Sequence, residues 1–166
     1  MRGLWSNETF TYSGSVYQVE EASIGVRPVN GTIPIWIGAF GPQMMRYTGR
    51  IADGWMKNGG WPASIEELQG LVRILETSAQ KAGRDPLSIR RVLNGAAAIG
   101  EGSEDTKIPG PFGMASPNIA GSAAQILETV ETYRNEGIDT FHLGFAPDNI
   151  MDQIKQFGEE VIAKVR

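Results

Sequence analysis

The sequence predicts an α/β fold built around a parallel sheet. Apolar runs typical of buried strands alternate with segments of helical periodicity, and this alternation repeats four times between residues 33 and 166. Parallel strands need crossover connections, which the intervening helices supply. Before this region, residues 9–20 contain two aromatic and β-branched runs around Ser13 and Gly14, which predict a β-hairpin. The predicted order is therefore a hairpin followed by four strand–helix units.

Length and composition fit one domain and exclude several classes of function. With 166 residues, 41% of them hydrophobic, the chain can bury a core, and we expect a single domain over residues 1–166. A net charge of −4 without a basic tract argues against nucleic-acid or membrane-surface binding. The absence of cysteine and the single histidine exclude the usual zinc and iron–sulfur ligand sets. We expect a cytoplasmic protein, because the sequence has neither a membrane-spanning apolar run nor the apolar core of a signal peptide.

The first two strand–helix units follow residues 1–32, which are assigned to the hairpin and a proline-bracketed loop. Residues 33–38 (IPIWIG) are apolar throughout, which predicts a strand buried on both faces. Pro42 stands where helices commonly begin and predicts a short helix over residues 42–50. The second strand is predicted over residues 51–56 (IADGWM).

Capping signals and apolar runs predict the later units. Helices are predicted to begin at Ser64 and Ser122, because each serine is followed three residues later by Glu or Gln. Strands are predicted over residues 91–100 and 138–145, and a last helix follows the second of these. Residues 101–121 form a long glycine- and proline-rich loop, for which a lid and a disordered segment are both open interpretations.

The strand pattern by itself leaves two architectures open. Four parallel strands with a helix after each can form a small open α/β sheet. They can equally form half of an eight-stranded βα barrel with two edges that lack a partner.

Several segments resemble one family. PIWIGAFGPQMMRYTGRIADGW resembles the region around the fifth and sixth strands of the bacterial luciferase-like monooxygenase family, particularly its deazaflavin-dependent oxidoreductases. LWSNETFTYSGSVYQVE resembles the hairpin that precedes this region, and AGRDPLSIR resembles the link into the seventh strand. AGSAAQILETVETYRNEGIDTFHLGF resembles the seventh helix and the eighth strand. The resemblance extends over essentially the whole chain.

The resemblance implies half of an eight-stranded βα (TIM) barrel, with its four strand–helix units in residues 33–166. It also implies coenzyme F420, a deazaflavin, or FMN at the carboxyl ends of the strands, with hydride transfer or oxygen activation at the cofactor ring. Members of the family carry further strand–helix units before the hairpin, and their acid–base residues lie there. We therefore assign no catalytic residue, and whether this chain alone is an enzyme stays open.

The resemblance further implies that the turn after the first barrel strand meets the cofactor phosphate. The matching residues are Gly38, Ala39, Phe40, Gly41 and Pro42. Glycine permits close approach of the backbone, and the N-terminus of the following helix offers unpaired N–H groups to an anion. The alternative is that the glycines only form the turn between the strand and the helix and bind no ligand.

Three other positions carry open alternatives, and one prediction covers two tryptophans. Lys57 and Asn58 follow the next strand, where they can contact the phosphate or be solvated. His142 lies near the end of the last predicted strand, where it is either a proton donor or a packed, hydrogen-bonded residue. Trp36 and Trp55 are expected in the core.

Three functions are compatible with these observations. The first is an oxidoreductase or monooxygenase that acts on a small molecule and needs a second half-barrel, either another copy in a homo-oligomer or a missing N-terminal half. The second is a non-catalytic half-barrel that binds the cofactor weakly or not at all. The third is a small open α/β domain that binds phosphate and is unrelated to flavins.

Overall fold

The structure is a computed structural model that describes residues 1–57, 61–110 and 113–165. It divides the chain into two units, Met1–Ile35 and Trp36–Arg166.

The first unit contains a short helix and a hairpin. Helix α1 spans Arg2–Ser6, and strands β1 (Phe10–Ser13) and β2 (Gln18–Ala22) pair antiparallel, with a register shift between Phe10 and Tyr12. The backbone N–H of Glu21, which has a positive φ of 43°, donates to Thr11 Oγ1 over 3.0 Å. The predicted hairpin is therefore confirmed.

The second unit is built on a sheet of parallel strands. The strands of this unit are β3 (Trp36–Ala39), β4 (Gly54–Lys57), β5 (Arg90–Ile99), β6 (Ile108–Gly110), β7 (Gly113–Ala115), β8 (Ile119–Gly121) and β9 (Thr140–Gly144). The order β3–β4–β5 is parallel throughout. Strand β9 pairs with residues 92–96 of β5, and β8 pairs with residues 97–99. Strands β6 and β7 form a separate antiparallel pair within the long segment that was predicted as a loop.

Four α-helices follow the strands of this sheet. They are α2 (Pro42–Ile51), α3 (Ile65–Lys81), α4 (Ala123–Asn135) and α5 (Ile150–Glu160). The side chain of Ser64 accepts the N–H of Glu67, and Ser122 forms a complete capping box with Gln125. Short 3-10 turns occupy Pro86–Ser88, Ser103–Asp105, Pro147–Asn149 and Ile162–Lys164.

These helices pack against one face of the sheet. Two clusters of buried side chains form there, one under α2 and α3 and one under α4 and α5. Their members from the strands are Ala39, Trp55, Leu93, Ala97, Ile99 and Ile119. The opposite face, which we call the open face, carries Trp36, Arg90, Asn94 and His142 in exposed positions. The fold is therefore an α/β fold with a parallel sheet and helices, as predicted.

The first two strands differ from their predictions in position and burial. Strand β3 starts at Trp36 rather than at residue 33, and α2 continues through Ile51, so β4 begins only at Gly54. The expected burial of β3 on both faces is wrong, because Trp36 is 44% exposed. Strand β3 is a sheet edge with helices on one face only, whereas Trp55 in β4 is fully buried as expected.

Candidate functional site

The candidate cofactor turn, residues 38–42, joins β3 to α2. Gly41 is the N-cap of α2, with φ −88° and ψ 149°, and no side chain caps the helix. Its carbonyl accepts the N–H of Met45 over 2.9 Å. A Cβ added at Gly41 would meet nothing within 4 Å, and the neighbouring Phe40 ring is 59% exposed. The turn therefore presents an accessible helix N-terminus at the carboxyl end of the sheet.

The next strand holds the backbone at Ala39, because the indole Nε1 of Trp55 donates to the Ala39 carbonyl over 2.8 Å. Both residues are buried, Ala39 to 2% exposure and Trp55 completely. This bond fixes the backbone where β3 passes into the turn. Ala39 consequently belongs to the support of the turn rather than to its accessible surface.

Lys57 ends β4 and is only 5% exposed. Its Nζ lies 3.4 Å from Oε1 of Glu67, whose other oxygen accepts the backbone N–H of Ala63 over 2.7 Å. The bond from Ala63, together with the Lys57 charge, lowers the pKa of Glu67. Lys57 is thus ion-paired to the start of α3, and its contact with a phosphate stays a prediction. Asn58, the other predicted residue here, lies outside the described residues.

His142 is exposed on the open face, and its Nδ1 lies 2.8 Å from Oδ1 of Asn94. With this oxygen as acceptor, Nδ1 carries the hydrogen and Nε2 is an acceptor in the neutral ring. Among the residues that the structure describes, none bonds to Nε2. The packed position expected for a purely structural histidine is therefore not what the structure shows.

The strand register places this pair at the level of the candidate turn. Ala39, Lys57, Leu93 and Phe141 lie side by side across the sheet. Asn94 and His142 come one residue later, which is the level of Phe40. Sequence reasoning missed Asn94, although a polar residue within the apolar run RVLNGAAAIG was a usable signal.

A cavity of about 650 Å³ lies at the carboxyl end of β5. Ser103 lines it, and its hydroxyl donates to the Ala98 carbonyl over 3.0 Å and accepts the Gly121 N–H over 2.8 Å. Gln153 holds the end of β5 by bonding both the N–H and the carbonyl of Ile99. The charged residues that line the cavity are Glu101, Lys107 and Asp148. Sequence reasoning placed only a loop here.

Neither a metal cluster nor a membrane span is found in the parts of the chain that the structure covers. Over residues 1–57, 61–110 and 113–165, no three His, Asp or Glu side chains are grouped so as to hold a metal ion. No helix within those ranges has the length and apolar character needed to cross a bilayer.

Comparisons with known proteins agree with the fold and the motif. The family model of the luciferase-like monooxygenase family matches residues 1–107. An F420-dependent glucose-6-phosphate dehydrogenase of Nakamurella multipartita is 40% identical over 81 residues, which cover 49% of this chain and 23% of that enzyme.

Solved structures match nearly the whole chain. The coenzyme F420-dependent tetrahydromethanopterin reductase of Methanopyrus kandleri superposes with a TM-score of 0.81 at 19% identity, over 99% of this chain and 60% of that one. A riboflavin lyase with modified FMN gives a TM-score of 0.69 at 12% identity, over 93% of this chain and 47% of that one. The chain is thus partial relative to these proteins, and because its family model matches well over half of it, the chain belongs to the luciferase-like monooxygenase family.

Proposed function

We propose that the chain is half of an eight-stranded βα barrel and forms the phosphate end of a site for coenzyme F420 or FMN in an oxidoreductase or monooxygenase. The observation that carries the proposal is the turn of residues 38–42, which opens α2 beside the carboxyl end of a parallel sheet. Family membership supports the redox class. Related proteins include one named for F420 dependence and one solved with modified FMN, which supports these two cofactors.

The turn would bind the phosphate through the backbone. The N–H groups of Gln43 and Met44 lie in the first turn of α2, and the helix dipole adds positive potential there. Pro42 gives up no bond in this position, because the first helical N–H is unpaired in any helix. Gly41 leaves the approach open, since it has no side chain. The bound cofactor would supply the hydride transfer or the oxygen activation.

The open face supports the need for a second half-barrel. Parallel sheets are normally covered on both faces, yet Trp36, Asn94 and His142 are exposed on this one. Strand β3 has one partner strand, β4, and β9 pairs with β5. Either another copy of the chain or an N-terminal half-barrel would cover these surfaces and complete the site for a small-molecule substrate. A cytoplasmic location stays a prediction.

The proposal is tested by a fluorescence titration of the purified chain with FMN and with coenzyme F420, with the mass in solution measured on the same sample. We expect saturable binding, weakened about tenfold or more by Gly41→Leu, because a side chain would occupy the phosphate approach. Gly41 has an ordinary φ and open space, so this variant should fold. The matched control is Gly25→Leu, another glycine with open space around it.

Turnover separates the two candidate functions. If the chain is an oxidoreductase, reduced cofactor should be consumed in the presence of carbonyl, imine or oxygen acceptors. Binding without consumption would favour the non-catalytic half-barrel. Absence of binding by either cofactor in every assembly state would contradict the proposal.

A further inference from the structure

We propose that the second unit carries an oxyanion site of the phosphate class between α2 and α3, separate from the turn of residues 38–42. A small cavity of about 240 Å³ lies there. Its lining consists of Gln43, Arg46 and Arg50 from α2, with Ser78 and Lys81 from α3. We call this cavity the interhelix pocket.

The close approach of the two helices builds the interhelix pocket. Gly49 lies where α2 meets α3, and a Cβ added to it would clash with the backbone carbonyl of Leu75 and come within 2.9 Å of the Ser78 Cβ. Arg46 and Arg50 are four residues apart and share a face of α2, as Ser78 and Lys81 share a face of α3. Polar groups of both helices therefore converge on one small volume.

The charge in the interhelix pocket is unbalanced. Three of its five lining residues are cationic and none is acidic, although the chain as a whole has a net charge of −4. In the described parts of the chain, Arg46, Arg50 and Lys81 form no ion pair, whereas Arg91 pairs with Glu76 at 2.7 Å. An anion in the pocket would therefore be attracted by three cations with no competing carboxylate in the lining.

Ser78 supplies a further donor to the pocket. It is 8% exposed, it lines the pocket, and its hydroxyl bonds to no group among the described residues. In α2, by contrast, the Thr48 hydroxyl donates to the carbonyl of Met44, four residues earlier. The Ser78 hydroxyl is therefore free to donate into the pocket, where an anion oxygen would accept its hydrogen.

The ligand class follows from the donors. Guanidinium groups present planar pairs of N–H donors that match two oxygens of a phosphate, and an ammonium and a hydroxyl add further donors. Arg50 and Lys81 also lie in the last turns of their helices, where the helix dipole stabilises a cation even without a ligand. Arg46 does not, so it is the more informative residue to change.

The experiment is a calorimetric titration of the flavin-free chain with inorganic phosphate, with sodium chloride replacing phosphate at constant ionic strength. In the Gly41→Leu variant, in which a side chain obstructs the turn of residues 38–42, we expect one remaining site per chain. Arg46→Gln should weaken binding about tenfold, and Ser78→Ala should weaken it severalfold without changing any charge. Arg73→Gln on α3, which does not line the pocket, is the matched control and should bind as the unmodified chain does. Methyl phosphate in a parallel titration distinguishes a site for free phosphate from one for a phosphorylated molecule.

Absence of phosphate binding at constant ionic strength would overturn the proposal. The proposal would also be overturned if the Ser78→Ala and Arg46→Gln variants bound phosphate as tightly as the unmodified chain, because the phosphate would then be bound elsewhere. Circular dichroism of each variant checks the fold, and the Ser78→Ala change introduces a better helix former. Inorganic phosphate can also bind the turn of residues 38–42, so binding that persists in Gly41→Leu and weakens in Arg46→Gln is assigned to the interhelix pocket, whatever the outcome for the cofactor site.

Discussion

The imidazole Nδ1 of His142 lies 2.8 Å from the side-chain oxygen of Asn94, although 48 residues separate them in the chain. The bond joins neighbouring strands β5 and β9 on the open face. It fixes which ring nitrogen carries the hydrogen, and it leaves Nε2 as an acceptor toward solvent.

Replacing Asn94 with Leu should therefore change the tautomer of His142. Without the oxygen acceptor, nothing among the described residues favours the hydrogen on Nδ1, so the Nε2–H form should gain population. The ¹⁵N chemical shifts of the neutral imidazole measure this, and the single histidine of the chain gives one set of ring signals. Asn94→Asp retains an oxygen acceptor and should keep the original tautomer. The same ring shifts in the parent chain and in Asn94→Leu would show that the bond has no effect.

Glu67 should make part of the stability depend on acid pH. Its pKa in the folded chain lies below the ordinary 4.5, mainly through the Ala63 N–H, so its contribution is present above that value and is lost as the pH falls through the folded pKa. Its side chain is 40% exposed, so the loss should stay below about 1 kcal/mol. Urea unfolding above and below pH 4.5 measures the difference.

Glu67→Gln should flatten this acid dependence. The control is Glu128→Gln, which removes an exposed carboxylate that has no polar partner in the described parts of the chain. An unchanged slope in Glu67→Gln would mean that the pair with Lys57 and the bond from Ala63 add no stability.

Trp55→Phe should destabilise the chain by about 1–3 kcal/mol, because the buried Ala39 carbonyl loses its side-chain donor. Chemical unfolding measures the change. Trp36→Phe is the matched control, since Trp36 is 44% exposed and should cost about 0.5 kcal/mol or less. Equal losses in both variants would contradict the role given to the Trp55 bond.

Gly49→Ala should destabilise the chain by about 1–3 kcal/mol, since its Cβ would press on the Leu75 carbonyl where α2 meets α3. Gly70→Ala in α3 is the matched helical control, because the nearest atom to its added Cβ is the Arg73 Nη2 at 4.0 Å. That variant should gain about 0.5–1 kcal/mol of stability from helix propensity. Thermal unfolding of the two variants measures the loss and the gain of stability. Unchanged stability in Gly49→Ala would contradict the close approach of α2 and α3.

Local signals in the sequence predicted the elements well. The capping residues Ser64 and Ser122 gave the starts of α3 and α4 because a cap depends on residues within one turn. The burial of β3 was harder to predict, since an apolar run does not reveal whether a strand is a sheet edge. Trp36 was consequently expected in the core and is exposed.

Contacts between distant residues could not be predicted from one sequence. The Asn94–His142 bond depends on the register of β5 against β9, and the ion pair of Lys57 depends on where α3 begins relative to β4. The candidate turn was identified by resemblance, and the structure adds its open surroundings and uncapped helix. The interhelix pocket arises from a helix approach that no local pattern encodes.

A comparison of FMN with riboflavin, which lacks the phosphate, shows whether the turn of residues 38–42 binds a cofactor phosphate. Titration of the chain at constant ionic strength gives both affinities. We expect FMN to bind at least about tenfold more tightly than riboflavin, and Gly41→Leu to remove this difference. Equal affinities for FMN and riboflavin in the unmodified chain would contradict phosphate binding by this turn.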